Sequence, residues 1–118
     1  MILFNWLLVG HFVGDWMLQN DWMARNKHGR WWSLPCLVHC FVYTVIMLGA
    51  LLFTGPYTYS QMLNFGLVIY ISHWLIDGFD LARTWGRLIN QTDRIFVRIV
   101  VDQTMHILIL VYVAEYLL

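Results

Sequence analysis

Seven histidine and aspartate side chains stand inside otherwise apolar stretches of the sequence. Six of them form three pairs spaced four residues apart, which places both members of a pair on one helix face about one turn apart. Imidazole and carboxylate groups together suit divalent ions such as zinc, manganese or iron. The candidate ligands are His11, Asp15, His39, His73, Asp77, Asp102 and His106. Their spacing predicts a metal site built by several helices, as in bundle proteins that bind metal in their cores.

The order within the pairs carries further information. Histidine comes first in the pairs that begin at residues 11 and 73, whereas aspartate comes first in the pair that begins at residue 102. If the last helix runs antiparallel to the other two, this reversal places all three histidines at one level and their aspartates at another. The three aspartates carry three negative charges. One divalent ion leaves a net charge of −1 on the cluster, whereas two ions with a bridging hydroxide make it neutral. We expect one or two ions, with zinc favoured over manganese or iron.

Other polar residues are predicted to surround this site. Gln19 and Arg98 lie one helical turn from candidate ligands, so both are candidates for binding substrate, and Arg98 would hold an anionic group such as a phosphate. Snorkelling to the membrane interface is an equally good explanation for Arg98. Gln103 and Tyr43 are candidates for supporting the ligands from outside. His28 falls in a predicted loop and is given no role.

The composition indicates which kind of protein must position these residues. The chain has 118 residues, of which 60% are hydrophobic and only 12% are charged. An ordinary soluble domain has about 45–50% apolar and about 25% charged residues. The formal net charge is zero, so no basic field recommends a nucleic-acid partner. These values exclude a typical soluble monomer and favour an integral membrane protein in contact with lipid.

Four apolar segments, each about as long as a membrane-spanning helix, are separated by breakers and capping residues. We predict an all-α fold, an integral membrane four-helix bundle that forms one domain over residues 1–118. Ser33 is the predicted N-cap of the second helix, and Thr92 and Asp93 are capping candidates for the fourth. The predicted helices cover about 2–23, 34–53, 61–82 and 94–118.

The basic residues predict the orientation of these helices. All of them lie in or beside the first and third connections, which the positive-inside rule places on the cytoplasmic side. Both termini then face the non-cytoplasmic side. The basic residues are Arg25, Lys27, Arg30, Arg83, Arg87, Arg94 and Arg98. Gly10 and Gly14 form a G-x-x-x-G motif, which favours either a homo-oligomer or close helix packing around His11.

Taken together, these motifs resemble an uncharacterised "domain of unknown function" family of small prokaryotic and phage inner-membrane proteins. The resemblance covers essentially the whole chain and implies a bacterial inner-membrane location, or the host inner membrane for a phage protein. The layout is also similar to that of membrane-bound metal-dependent hydrolases, which implies metal ligands but no particular reaction. The motifs that carry it are His11-x-x-Gly-Asp15-x-x-x-Gln19, followed by Asp21-Trp22 and Lys27, then His39 with Tyr43, His73-x-x-x-Asp77, and Asp102-Gln103-x-x-His106.

Three functions remain open on these grounds. The first is a metal-dependent hydrolase in the cytoplasmic half of the membrane, with Asp15 or Asp77 as general base and a lipid or phosphoester as substrate. The second is a metal-binding or metal-transporting membrane protein. The third is a structural or interaction protein whose polar residues form a hydrogen-bonded core network. The apolar outer halves of the helices argue against transport, because a transported ion needs access from both sides.

Overall fold

A computed structural model describes residues 2–26, 28, 30–91 and 94–118. These residues form helices and their connections, with no strand among them, so the predicted all-α class is confirmed. Two of the helices continue for five residues as π-helix, here named π1 and π2. In chain order the elements are α1 (Ile2–Phe12), π1 (Val13–Met17), α2 (Asp21–Asn26), α3 (Leu34–Leu52), α4 (Tyr59–Gly78), α5 (Leu81–Leu88), α6 (Ile95–Tyr112) and π2 (Val113–Leu117).

The second predicted helix agrees closely with α3. The Ser33 hydroxyl accepts a hydrogen bond from the Cys36 backbone N–H, and Pro35 lies in the first turn, where it removes no helical hydrogen bond. The following helix, α4, begins two residues earlier than predicted. Thr58 and Gln61 form a reciprocal capping box there, which satisfies two backbone N–H groups at the start of the helix.

The first predicted helix, 2–23, is wrong in its second half. The helix ends with π1 at Met17, where the Leu18 N–H donates to the Val13 carbonyl. A new short helix, α2, then begins, and the Asn20 side chain accepts a hydrogen bond from the Met23 N–H. Asparagine competes for backbone donors in this way and so favours a helix start over a helix interior. The break coincides with the polar run from Gln19 to Asp21, which the prediction of a continuous helix did not take as a helix end.

The third predicted helix, 61–82, is also interrupted. It bends by 53° between α4 and α5. Asp80 adopts a left-handed conformation with φ of 49°, and its side chain accepts a hydrogen bond from the Arg83 N–H at the start of α5. Aspartate is one of the few residues that tolerate this conformation. Trp31 stacks on Phe79 with ring centroids 5.7 Å apart, which packs the loop before α3 against the bend.

The fourth predicted helix, 94–118, corresponds to α6 and π2. The helix begins at Ile95, and Arg94 precedes it in an extended conformation. The predicted caps Thr92 and Asp93 lie outside the described residues, as does Lys27.

The long helices pack around a common interior. α3 contacts both α1 and α4, and α6 contacts α4, α1 and α5. At the end of the molecule that holds both termini, the interior is apolar. This apolar core consists of Leu7, Tyr43, Met47, Ala50, Leu51, Phe65, Ile69, Leu110 and Val113. Polar side chains fill the interior beyond it.

Within the described residues, two helices are long and apolar enough to cross a membrane. These are α3, with 19 residues, and α6 with π2, with 23 residues. The bent pair α4–α5 would make a third span if both helices count as one. The first predicted span does not qualify, because the break at Leu18 leaves only α1 and π1, which cover about 24 Å at 1.5 Å per residue. A bilayer core is about 30 Å thick.

Candidate metal centre

The structure brings all seven predicted ligand residues into one buried cluster. Burying this many ionisable groups without compensation would be very unfavourable, because each carboxylate loses its hydration. The exposed fraction is at most 8% for every member. They are His11, Asp15, His39, His73, Asp77, Asp102 and His106. Such a cluster must be stabilised by hydrogen bonds, by a bound cation, or by both.

Four of these residues, which we name the four-ligand group, point one atom each at a common centre. The group consists of Asp15 from π1, His39 from α3, and His73 and Asp77 from α4. Asp15 Oδ1 lies 3.0 Å from His39 Nε2 and 3.6 Å from His73 Nε2. Asp77 Oδ2 lies 3.3 Å and 3.0 Å from the same two nitrogens, which are 2.9 Å from each other.

These distances are those expected between ligands of a tetrahedral metal ion. Ligand atoms about 2.0–2.1 Å from a central zinc ion are about 3.3 Å from one another in a tetrahedron. The five measured separations in the four-ligand group range from 2.9 to 3.6 Å. Two imidazole nitrogens and two carboxylate oxygens also form a ligand set that zinc accepts. The four-ligand group can therefore hold a divalent ion without a change of fold.

A hydrogen-bonded network satisfies the same four atoms less well. If each ring donated its Nε2 hydrogen to the nearer carboxylate, Asp15 or Asp77, the two N–H groups of His39 and His73 would lie only 2.9 Å apart. If one ring instead donated to the other, one imidazole would face the carboxylates with a lone pair. A cation at the centre attracts all four atoms at once.

His11 differs from the sequence-based expectation that it is a ligand. Its Nδ1 lies 2.8 Å from the Tyr43 hydroxyl, and its Nε2 lies 2.7 Å from Gln103 Oε1. Because an amide oxygen only accepts, His11 Nε2 donates and Nδ1 accepts from Tyr43. Both ring nitrogens are thereby used. In the structure His11 therefore hydrogen-bonds to Tyr43 and Gln103, and it lies outside the four-ligand group.

The hydrogen bond from His11 holds the side chain of Gln103, which contacts two carboxylates. Its Nε2 donates to Asp15 Oδ2 and to Asp102 Oδ2, each at 3.2 Å. A chain of hydrogen bonds therefore runs from Tyr43 through His11 and Gln103 to two carboxylates. Gln103 and Tyr43, the two residues predicted to support the ligands, both hydrogen-bond to His11. The long glutamine side chain overcomes the helical offset between residues 102 and 103.

Two glycines allow α1 and π1 to approach α3 closely at the cluster. A Cβ atom at Gly14 would lie 3.0 Å from Tyr43 Cδ2, and one at Gly10 would lie 3.1 Å from Ala50 Cβ. Such contacts are tighter than normal van der Waals packing. The G-x-x-x-G motif therefore faces α3 within the chain, which favours close packing around the site over a homo-oligomer.

A cavity of about 330 Å³ opens beside the cluster. Asp15, Asp102 and Gln103 lie at its inner side, and Gln19 and Arg98 also line it. Gln19 reaches the cavity although it follows the helix break after π1. Both predicted substrate-binding residues are thus placed next to the cluster. The cavity walls also include the apolar side chains of Trp16, Ile95 and Ile99.

His28 is a site residue that sequence reasoning missed. It lines the same cavity, and its Nδ1 lies 3.9 Å from Asp80 Oδ1. One of its ring nitrogens also lies within 4.8 Å of ligand atoms of Asp77 and Asp102. A histidine in a loop has no helical spacing relative to the other ligands, so the sequence offered no signal for it.

Comparison with known proteins gives a match to one family model. No curated protein and no solved structure matches the chain. A family model described as "Protein of unknown function (DUF3307)" matches residues 3–118, which include every member of the cluster. The chain therefore belongs to the DUF3307 family.

Proposed function

We propose that this protein is a membrane-embedded, metal-dependent hydrolase. The observation that carries the proposal is the four-ligand group, a near-tetrahedral set of two imidazole nitrogens and two carboxylate oxygens beside an accessible cavity. Zinc is the favoured ion, because it prefers four N and O ligands in this geometry, and manganese or iron are the alternatives. A divalent ion lowers the pKa of a water molecule that it binds from about 15.7 towards about 7, which makes a nucleophile available at neutral pH.

The residues of the chain have separate roles in this proposal. With His39, His73 and Asp77 as the three protein ligands of a catalytic ion, the fourth position would be left to water on the side of Asp15. Asp15 lines the cavity and would accept the proton of that water, and Gln103 donates a hydrogen bond to its Oδ2. Asp77, the other candidate base, is buried behind it and serves as a ligand. Gln103 keeps the Asp15 carboxylate oriented during proton transfer. His11 and Tyr43 fix Gln103 in turn.

The cavity favours an anionic, partly apolar substrate. Arg98 supplies a positive charge that suits a phosphate, and Gln19 supplies an amide for hydrogen bonding. Trp16, Ile95 and Ile99 add apolar surface that suits an acyl or prenyl chain. A membrane lipid or a lipid-linked phosphoester combines both features.

We further propose that four helical segments form a bundle in the inner membrane of a bacterium, with both termini on the non-cytoplasmic side. In this arrangement α3, α4 with α5, and α6 with π2 span the bilayer, and α1 with π1 covers most of its thickness. For a phage-encoded chain this would be the host inner membrane. The distribution of basic residues supports this orientation, since all of them lie in or beside two connections. The cavity supports it further, because its lining comes from the segments next to both of these connections, including Ala24, His28, Asp80 and Arg98. The active site would then open towards the cytoplasm.

The test is a hydrolysis assay on purified, zinc-loaded protein with a panel of phospholipids, lipid-linked phosphoesters and carboxylic esters. We expect turnover of at least one phosphoester and its loss in His73→Ala. Arg98→Ala is expected to raise KM for the phosphorylated substrate, whereas Arg87→Ala, which changes an exposed arginine away from the cavity, leaves KM unchanged. Absence of turnover across the panel, or turnover that His73→Ala leaves intact, would contradict the proposal.

A structural role for the cluster is the second candidate. The continuous hydrogen bonds from Tyr43 through His11 and Gln103 to Asp15 and Asp102 favour it, because such a network would stabilise helix packing without chemistry. In that case all substrates would be left intact, while Gln103→Leu would still destabilise the fold.

A further inference from the structure

We propose that the cluster holds two cations, with Asp15 and Asp77 bridging them and Asp102 and His106 completing a second subsite. This inference rests on the proposed metal site and extends it from one ion to a dinuclear centre, in which Asp15 would act as a bridging ligand instead of as the general base. Its basis is a second set of ligand atoms beside the four-ligand group. Ligand atoms of Asp15, Asp102 and His106 lie within 4.8 Å of one another, and all three side chains are buried.

His106 is set up as a ligand by its own helix. Its Nδ1 lies 2.7 Å from the backbone carbonyl of Asp102, and because a carbonyl only accepts, Nδ1 carries the hydrogen and donates it. In a neutral imidazole this leaves a lone pair on Nε2. That nitrogen is buried and has no hydrogen-bond donor within the described part of the chain. Metal-binding histidines are commonly fixed in this tautomer by a backbone carbonyl.

The lone pair of His106 faces a carboxylate. Its Nε2 lies 3.5 Å from Asp77 Oδ1, while the other oxygen, Asp77 Oδ2, belongs to the four-ligand group. A lone pair and a carboxylate oxygen repel each other at this distance, whereas a cation between them would attract both. Asp77 would then bind one ion through each oxygen. Carboxylates that bridge in this way are compatible with the separation of about 3.5–4 Å found in two-metal sites.

Asp15 is divided between the two subsites in the same manner. Its Oδ1 points at His39 in the four-ligand group, and its Oδ2 lies beside Asp102, where Gln103 Nε2 donates to both carboxylates. The remaining oxygen, Asp102 Oδ1, is buried and has no hydrogen-bond partner within the described residues. Asp102 therefore has one oxygen oriented by Gln103 and one available to the second cation.

The net charge of the buried cluster depends on how many ions it holds. The three aspartates carry three negative charges, so a single divalent ion leaves the buried cluster negative, while two ions make it positive by one charge. That charge would attract the phosphate of the proposed substrate.

The two subsites differ in their access to the cavity. Asp15 and Asp102 line the cavity, so the second subsite opens to it, while His39 and His73 are at most 1% exposed. We therefore expect the second ion to exchange faster than the first.

The test is a titration of metal-free, detergent-purified protein with Mn²⁺, followed by bound-metal analysis and electron paramagnetic resonance. Wild-type protein is expected to bind two Mn²⁺ per chain and to show an exchange-coupled spectrum. His106→Ala and Asp102→Asn are each expected to bind one ion and to show the spectrum of an isolated Mn²⁺. Thr104→Ala is the matched control on the same helix, because Thr104 is exposed and only bonds back to Val100.

Circular dichroism shows whether each variant is folded. Two variants are used, so that the other can still be measured if one of them does not fold. Saturation of the wild type at one ion or none would overturn the proposal, as would two coupled ions in both His106→Ala and Asp102→Asn. The outcome is separate from that of the proposed function. If the protein binds two coupled ions but hydrolyses no substrate, the dinuclear centre is supported and the hydrolase function is contradicted.

Discussion

The interior of this protein has two regions built from the same helices but stabilised by opposite means. In the apolar core, Leu7, Met47, Leu51 and Phe65 are completely buried and pack with other hydrophobic side chains. One or two turns along α1, α3 and α4, the interior is filled by histidine and aspartate instead. The first region stabilises the fold through packing, while the second loses hydration energy unless a cation and hydrogen bonds replace it. A fold of this size carries such a region only with a compensating interaction.

Two breaks in the helices lie near the polar cluster, at Leu18 after π1 and at Asp80 after α4. The π-helical segment π2, in contrast, begins in the apolar core at Val113. In the apolar core α3 and α4 run without interruption. π-Helical turns are often found at functional sites, because they re-aim a side chain that regular helix would direct elsewhere. Here π1 contains Asp15, which reaches both proposed metal subsites.

The first test damages the apolar core alone. Phe65→Ala is expected to lower the free energy of unfolding by about 3–5 kcal/mol, because it leaves a cavity in close-packed surroundings. Metal content per folded chain should remain unchanged. Thermal unfolding in detergent combined with metal analysis tests both statements. Phe96→Ala, at a position that is 76% exposed, is the control. Loss of metal in Phe65→Ala would show that the two regions are not separable.

The second test removes the cation alone. A ligand that binds only the native state at 100 to 1,000 times its Kd stabilises it by about 2.7–4.1 kcal/mol. Chelation is therefore expected to reduce amide protection in π1 and in the second half of α4, which hold Asp15, His73 and Asp77. The amides of α3 around Met47 should stay protected. Hydrogen exchange with and without chelator measures this, and uniform loss of protection in both regions would contradict it.

The third test weakens the support of the ligands. Gln103→Leu removes the hydrogen bonds to Asp15 and Asp102, and loss of such an outer partner typically reduces metal affinity by about 10–100-fold. Competition titration with a zinc indicator measures the change. Gln91→Leu, at an exposed position away from the cluster, should leave affinity unchanged. Equal affinities in wild type and Gln103→Leu would remove Gln103 from the site.

The fourth and smallest effect concerns the boundary between the two regions. Gly14→Ala would place a methyl group 3.0 Å from the Tyr43 ring, so we expect a loss of about 1–2 kcal/mol in unfolding free energy, as for mild overpacking. Gly49→Ala meets no atom within 4 Å and is expected to be neutral or slightly stabilising. Thermal unfolding compares the two variants. Equal stability of both would contradict the close approach of π1 to α3.

Much of the site could be predicted from the sequence because helical periodicity is regular. The spacing of four residues placed His73 beside Asp77 and Asp102 beside His106, and the structure joins these pairs through their side chains. The second helix and its Ser33 cap were predicted to within a residue. These inferences depend only on residues within one helix.

The remaining features depend on contacts between distant segments. The breaks at Asn20 and Asp80 depend on hydrogen bonds from backbone N–H groups to these side chains, and a polar residue in a helix-length segment does not by itself show that it will accept one. His11 and Asp15 are four residues apart, like the other His–Asp pairs, so the spacing predicts a ligand. Only the positions of Tyr43 and Gln103 show that both ring nitrogens of His11 form hydrogen bonds elsewhere. His28 reaches the site from a loop. None of these contacts leaves a periodic signal in the sequence.

The central claim is that the four-ligand group binds a divalent cation, and elemental analysis tests it most directly. Wild-type protein, Asp77→Asn and Asp21→Asn would be purified in parallel from zinc-supplemented cells and measured by inductively coupled plasma mass spectrometry. Asp77 is completely buried in the group, whereas the Asp21 side chain is 92% exposed, so the same chemical change is made inside and outside the site. We predict bound zinc, manganese or iron in the wild type and in Asp21→Asn, and its loss in Asp77→Asn. Wild-type protein without bound metal, or an Asp77→Asn protein with the wild-type content, would contradict the account.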